Sequence, residues 1–213
     1  MTKAAAGRRP RARKGEGERL REEILLATER LLIATGDQEA VSVRAIAQAV
    51  GVTPPSIYLH FADKADLIFA VCAQHFVALD DAIESAAAGI DDPLEELRAR
   101  GRAYVRFGLD HPEQYRILFM SKPSAMPSAW TPEVMLENAA FSHHADAVRR
   151  CIDAGVFPAA VDAYVTAIGL WAAAHGVVSL LLAHPDFPWP DIDALVDSVL
   201  AAQARGIAAS DGR

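Results

Sequence analysis

The sequence predicts an all-α protein built in two parts, and three observations carry that expectation. Apolar residues recur at spacings of three and four along almost the whole chain, the period of a helix with one buried face. No run of alternating β-branched residues lies between turn residues, so no sheet is expected. Charge is divided too: residues 1–64 hold 11 basic and 8 acidic side chains and residues 65–213 hold 10 and 20, within a formal net charge of −7 over 213 residues.

Taken in order, the chain opens with a basic tail over residues 1–16. Lys3, Arg8, Arg9, Arg11, Arg13 and Lys14 occur with no acid among the first 14 residues, a polycation suited to polyphosphate and equally a solubilising disordered tail. A first helix is expected from Glu18 to Thr35, with Leu20, Ile24, Ala27, Leu31 and Ala34 on one face and Gly36 as its stop. Ser42 caps a short helix from Val43 to Val50, which Gly51 ends, and Thr53 caps another that opens with Pro54 at its first position. A longer helix starts near Lys64 and runs through Leu67, Val71, His75, Leu79 and Ile83 toward Gly89.

Asp92-Pro93-Leu94-Glu95 has the order of a capping box, starting a helix that closes by His111-Pro112. Ser121, Pro123, Pro127 and Pro132 mark a loop, with a helix from Thr131-Pro132 to about Asp153. The last two helices are expected over Ala159–Ala183 and Pro190–Gly206. The predicted division is a tail over 1–16, a helix-turn-helix domain over 17–64 and a second domain over 65–213.

Two cysteines, Cys72 and Cys151, form no CxxC or Cys/His cluster, which argues against a disulfide scaffold or zinc finger and for a reducing, cytoplasmic address. Both read as small buried hydrophobes. Charged residues interrupt the first apolar stretch, so no secretory signal is expected. Nor is there a Gly-rich phosphate loop, a nucleophile elbow or a metal-ligand spacing. His143-His144 point about 100° apart on a helix. The expectation is therefore no enzyme, no cofactor and no metal.

Between Val41 and Lys64, two short helices joined through a glycine are able to set the second across the first, with its start free to enter a major groove. Ile46, Val50, Val52, Ile57 and Phe61 supply a small core, leaving Arg44, Thr53, Ser56, Tyr58, His60 and Lys64 for the rim. The segment YLHFADKADLI resembles the end of the helix-turn-helix in TetR-family transcriptional regulators, and AIAQAVGV resembles its preceding helix and turn. That resemblance implies Tyr58, His60 and Lys64 on backbone phosphates of double-stranded DNA, Thr53 at a phosphate through its cap, and Arg44, Pro55 and Ser56 near base edges. Arg44 is the candidate for bidentate guanine recognition. Pro54-Pro55 departs from the small or polar residues often found there, which implies fewer hydrogen bonds to bases and more apolar contact, as with thymine methyl groups.

From Ala163 to Pro185 there is no Asp, Glu, Lys or Arg, a span long enough for a membrane. Thr166, His175, Ser179 and several Gly and Ala lower its apolarity, so burial between protein surfaces is expected and no membrane partner. Tyr164, Ile168, Trp171, His175, Val178 and Leu182 share a bulky stripe. A second, smooth stripe lets helix backbones approach closely. Gly169, Ala172, Ala173, Gly176, Leu180 and Ala183, with Leu195 and Val199 from the last helix, form the predicted homodimer surface.

HPEQYRILF and the Trp171 to Gly176 segment WAAAHG resemble parts of the TetR subfamily marked by a Trp-His-Gly signature. The resemblance implies a cavity for a small, largely apolar effector, lined by Tyr104, Phe107, Phe119, Trp130, Phe141, His144, Trp171 and His175. The same residues also read as ordinary packing, with Trp171 filling a core and His175 a satisfied buried histidine. Two functions follow: a ligand-responsive repressor on a palindromic operator, or a DNA-bound architectural or partner-binding protein with no small ligand.

Overall fold

Local capping chemistry sets most of the helix ends. In the computed structural model, which describes residues 16–120 and 139–209, all regular structure is helical. Helix α1 (Glu16–Thr35) is followed by α2 (Val43–Val50), α3 (Pro54–Ile57) and α4 (Lys64–Ala87). Then come α5 (Pro93–Asp110), α6 (Pro112–Tyr115) with a π-helical turn over Arg116–Met120, α7 (Ala139–Asp153), α8 (Ala163–Ala183) and α9 (Ile192–Ala208). Residues 1–15 of the basic tail, the 121–132 loop and the helix start at Thr131-Pro132 lie outside the described residues, while Glu16, expected in the tail, is the first residue of α1.

Ser42 accepts a hydrogen bond from the Ala45 amide at 3.2 Å, satisfying one of the free donors that begin α2. Gly51 closes that helix at φ +77°, in the left-handed region where a side chain is strained. Its amide reaches the Gln48 carbonyl at 3.3 Å and the Val52 amide reaches Ala47 at 2.9 Å, the paired bonds of a Schellman ending. Asp92, Asp162 and Asp191 each stand one residue before a helix and accept from Glu95, Val165 and Ala194 at 2.8, 2.9 and 2.8 Å. The expected capping box is half realised, since the Glu95 carboxylate takes the Arg98 guanidinium at 2.5 Å.

The chain divides into two compact units. The first contains described residues 16–75 and 113–120, the second 76–112 and 139–209. The helix-turn-helix segment therefore lies within the first unit, and the division falls inside α4. Ile24, Leu25, Leu32, Val41, Ile46, Ile57, Phe61, Leu67 and Val71 form the first core. Ile117, from the π-helical turn, packs in it as well; the sequence reading assigned that segment no structure of its own. In the second unit α5, α7, α8 and α9 pack together around Leu97, Ala147, Val148, Cys151, Phe157, Ala167 and Leu170. Among the described residues, α8 alone is long and apolar enough to cross a membrane by length and composition; here it buries Ala167, Leu170, Ala174, Val177, Val178 and Leu181 in protein.

Candidate functional site

Packing decides which side chains of the helix-turn-helix remain available. Ile46 and Ile57 are almost wholly buried, Phe61 is 3% exposed, and Val50 and Val52 pack partly against them. That inward set leaves Arg44, Thr53, Pro55 and Tyr58 exposed, with Pro54, Ser56, His60 and Lys64 partly covered. Lys64 also lies 3.8 Å from Glu39, a weak ion pair.

Thr53 occupies the cap position of α3 but its hydroxyl makes no cap bond. A side-chain cap bonds the second or third helical amide. Pro55 has no N–H, and the Ser56 amide bonds the Thr53 carbonyl at 2.9 Å instead. The Thr53 hydroxyl shares a hydrogen bond with the Ser56 hydroxyl at 3.0 Å. Two further features escaped the sequence reading. The Arg21 guanidinium lies 5.1 Å from the centre of the Phe61 ring, bringing a cation from α1 to this motif, and Leu59 stands 83% exposed beside Tyr58.

In the second unit, five of the residues expected to line a cavity form one chain of contacts. Trp171 donates from Nε1 to the Tyr104 hydroxyl at 3.0 Å. Phe141 sits edge-on to Trp171 with centroids 6.4 Å apart, and near His144 at 6.5 Å. His175 lies 6.1 Å from Trp171. Tyr164, from the bulky stripe, adds an edge contact to Phe141 at 5.3 Å.

The histidines of this cluster are paired with neighbours on α8. His144 donates from Nε2 to the Ala167 carbonyl at 3.1 Å, and His175 Nε2 lies 3.2 Å from the Ser179 hydroxyl. Burial pushes the His144 imidazole down to about 4, a shift the bond to Ala167 offsets only in part; burial lowers His175 as well. Both favour neutral rings, because low polarity penalises the charged form.

The remaining expected lining residues are elsewhere. Phe107 packs on His111 at 4.8 Å, Phe119 belongs to the first unit and packs on Tyr115 at 4.9 Å, and Trp130 lies outside the described residues. Two hollows in the second unit are likewise away from the aromatic cluster. One, of about 520 Å3, is lined by residues of α8 and α9 including Thr166, Val199, Ala202 and Gln203. The other, of about 390 Å3, is lined by residues including Ala99, Arg102, Val105, Arg106, Ile192 and Val196.

The stripes on α8 also differ from expectation. The face turned into the core is Ala167, Leu170, Ala174, Val177, Val178 and Leu181, which takes only Val178 from the bulky stripe and leaves Tyr164, Ile168 and Trp171 42, 38 and 37% exposed. On the smooth stripe Gly169, Ala172, Leu180 and Ala183 are exposed and Ala173 and Gly176 half-buried, as are Leu195 and Val199 on α9.

A charged network that the sequence reading missed joins three helices of the second unit. Arg100, 6% exposed, holds both oxygens of Glu84 at 2.5 and 3.1 Å and Glu96 at 3.0 Å. Arg150 adds two bonds to Glu96 at 2.9 and 2.5 Å. Arg100 holds the Glu84 carboxyl below its usual range. Burial alone raises Glu96, but the bonds from Arg150 and Arg100 outweigh it and keep that carboxyl low as well. His143 Nδ1 lies 3.1 Å from Asp80 and 3.2 Å from Glu84. These three residues have the donor atoms of a cation site, but the guanidinium already engages both Glu84 oxygens. The Glu96–Arg100 spacing of four was readable as a helical pair; Arg150, 54 positions on, was not. Cys72 and Cys151 are pushed up to about 11 by burial, as unreactive thiols are.

Comparison with known proteins agrees with this arrangement. Residues 24–71 match the family described as bacterial regulatory proteins, tetR family, and residues 97–203 match the tetracyclin repressor-like, C-terminal domain. The chain is 30% identical over 118 residues to the HTH-type transcriptional activator FasR of Mycolicibacterium smegmatis, 53% of each chain. It spans about half the length of the curated relatives it matches. A protein of unknown function from Rhodococcus sp. RHA1 has a TM-score of 0.72 at 27% identity, over 89% of this chain and 95% of that one. A TetR-family regulator from Marinobacter aquaeolei VT8 shares the fold, with a TM-score of 0.70 at 22% identity over 92% of this chain and 99% of that one. The chain belongs to the TetR family of DNA-binding transcriptional regulators.

Proposed function

We propose that this chain is a ligand-responsive repressor that binds a palindromic operator as a homodimer and is released by a small, largely apolar or aromatic molecule. The observation that carries the DNA half is the separation of Ile46, Ile57 and Phe61, which are buried, from Arg44, Pro55 and Tyr58, which are exposed on the same short segment. In this reading Arg44, Pro54, Pro55 and Ser56 face base edges, and Thr53, Tyr58, His60 and Lys64 face phosphates. The homodimer half is supported by the uncharged small residues on α8, together with Leu195 and Val199 on α9, a face on which a second copy buries apolar surface with little side-chain obstruction.

The effector half is supported by aromatic surface that stays open at Trp171 and Tyr164, with Tyr104, Phe141, His144 and His175 around it. Ligand and operator then oppose each other, with α4 as the lever between the reading and sensing parts. A second reading, an architectural DNA-bound protein without an effector, is favoured by the internal pairing of Trp171 with Tyr104 and of His175 with Ser179.

One experiment separates the two. Aromatic and acyl compounds are screened by thermal shift with tryptophan fluorescence as a second channel, and hits are added to an operator-binding assay. The repressor reading expects at least one hit that raises the melting temperature and lowers operator affinity. A protein that responds to duplex DNA alone supports the architectural reading. Sedimentation at micromolar concentration tests the dimer, and a monomer there overturns it.

A further inference from the structure

A single exposed leucine needs no explanation in itself. Leu59 acquires a direction from its place. Among the described residues it is the large apolar side chain most open to water, 83% exposed, and Tyr58 beside it is 52% exposed. It follows α3 by two residues, and Tyr58 keeps right-handed helical dihedrals (φ −69°, ψ −8°). Pro55, also exposed, is four positions earlier, and residues four apart near a helical turn share a face. Folding has not used this face for the core, since Ile57 and Phe61 supply that.

The same segment is short of hydrogen-bond donors. Pro54 and Pro55 have no amide hydrogen, and of the Thr53 and Ser56 hydroxyls, 3.0 Å apart, one gives its hydrogen to the other, leaving a single O–H between them. What Pro55 and Leu59 themselves offer to a major groove is carbon. The groove has one apolar base-edge group, the C5 methyl of thymine. We infer that Leu59, with Pro55, reads a thymine methyl by apolar contact and thereby sets part of the operator sequence. The inference rests on the DNA-reading assignment above and adds a residue and a base to it.

The test begins with selection of duplex sequences from a random pool by the full-length wild-type protein. Each thymine of the selected operator is then replaced singly by deoxyuridine, which removes only the methyl. For the wild type, affinity falls about three- to fivefold at one thymine, or at its symmetry mate, as expected for an apolar group the size of a methyl. Leu59→Ala binds the parent operator more weakly by a similar factor, is indifferent to that methyl, and melts at the wild-type temperature. A deoxyuridine profile unchanged by Leu59→Ala overturns the inference, as does a variant that binds the operator as tightly as the wild type. A wild-type protein that selects and binds no duplex overturns the DNA-reading assignment itself, which separates the two failures.

Discussion

In the helix-turn-helix, Ile46, Ile57 and Phe61 are spent on packing while Arg44, Pro55 and Tyr58 face water. In the second unit, Tyr104, His144 and Trp171 are at once candidate contacts for a small molecule and members of the packing, joined to one another or to backbone at 3.0 and 3.1 Å. Charge follows the same division. The reading segment keeps its ionic groups at the surface, whereas the second unit sinks Arg100 and Glu96 to 6 and 8% exposure. A segment that grips a polyanion has no need to reorganise its core, and its contacts are exchangeable without unfolding. In the second unit the candidate contacts are themselves part of the packing, so a substitution there touches stability as well.

Substitutions test this contrast. The largest effect is expected for Arg100→Ala. Loss of a buried cation that holds two carboxylates costs about 3 kcal/mol, read by denaturant unfolding, whereas removal of the exposed Arg44 leaves that stability nearly unchanged. Equal costs at the two sites remove the contrast.

Next comes binding. Arg44→Ala weakens operator affinity by about 1–3 kcal/mol and relaxes base preference at one position, measured by fluorescence anisotropy on matched and mismatched duplexes. An unaltered preference removes Arg44 from base reading.

The third test is a pH slope. The His144 ring titrates near 6.5 in the unfolded chain and at about 4 in the folded one, so between these values the unfolded state binds the extra proton. Stability therefore falls as pH drops through that window, by at most about 1.4 kcal/mol per pH unit for this one group. His144→Gln flattens the fall. At still lower pH, protonation of Glu84 and Glu96, both held low in the folded state, continues the loss in wild type and variant alike. A slope that survives His144→Gln intact assigns it to other groups.

Much of this molecule was readable before its structure. The Val43–Val50 helix, its Ser42 cap and its Gly51 ending came from local chemistry, as did Pro54 at the start of α3. Asp162 and Asp191 carry the same cap signal, and overlooking them placed the predicted starts of α8 and α9 four and two residues early. The buried and exposed positions of the helix-turn-helix were legible because they lie within 21 positions of one another and depend on one small core.

Other features needed the folded chain. Which third of α8 turns inward depended on what α5, α7 and α9 place against it; a helix nearly without charge has little polarity of its own to orient it. For the same reason, composition named the aromatic residues but not their neighbours, and Phe119 went to a different unit from Trp171. Helix type, the Ser42 and Asp92 caps and the outward positions of the helix-turn-helix follow from residue order, because contacts a few residues apart set them. The meeting of Arg100, Glu84, Glu96 and Arg150 and the partners of the aromatic cluster arise only on folding, because distant side chains compete for the same buried space.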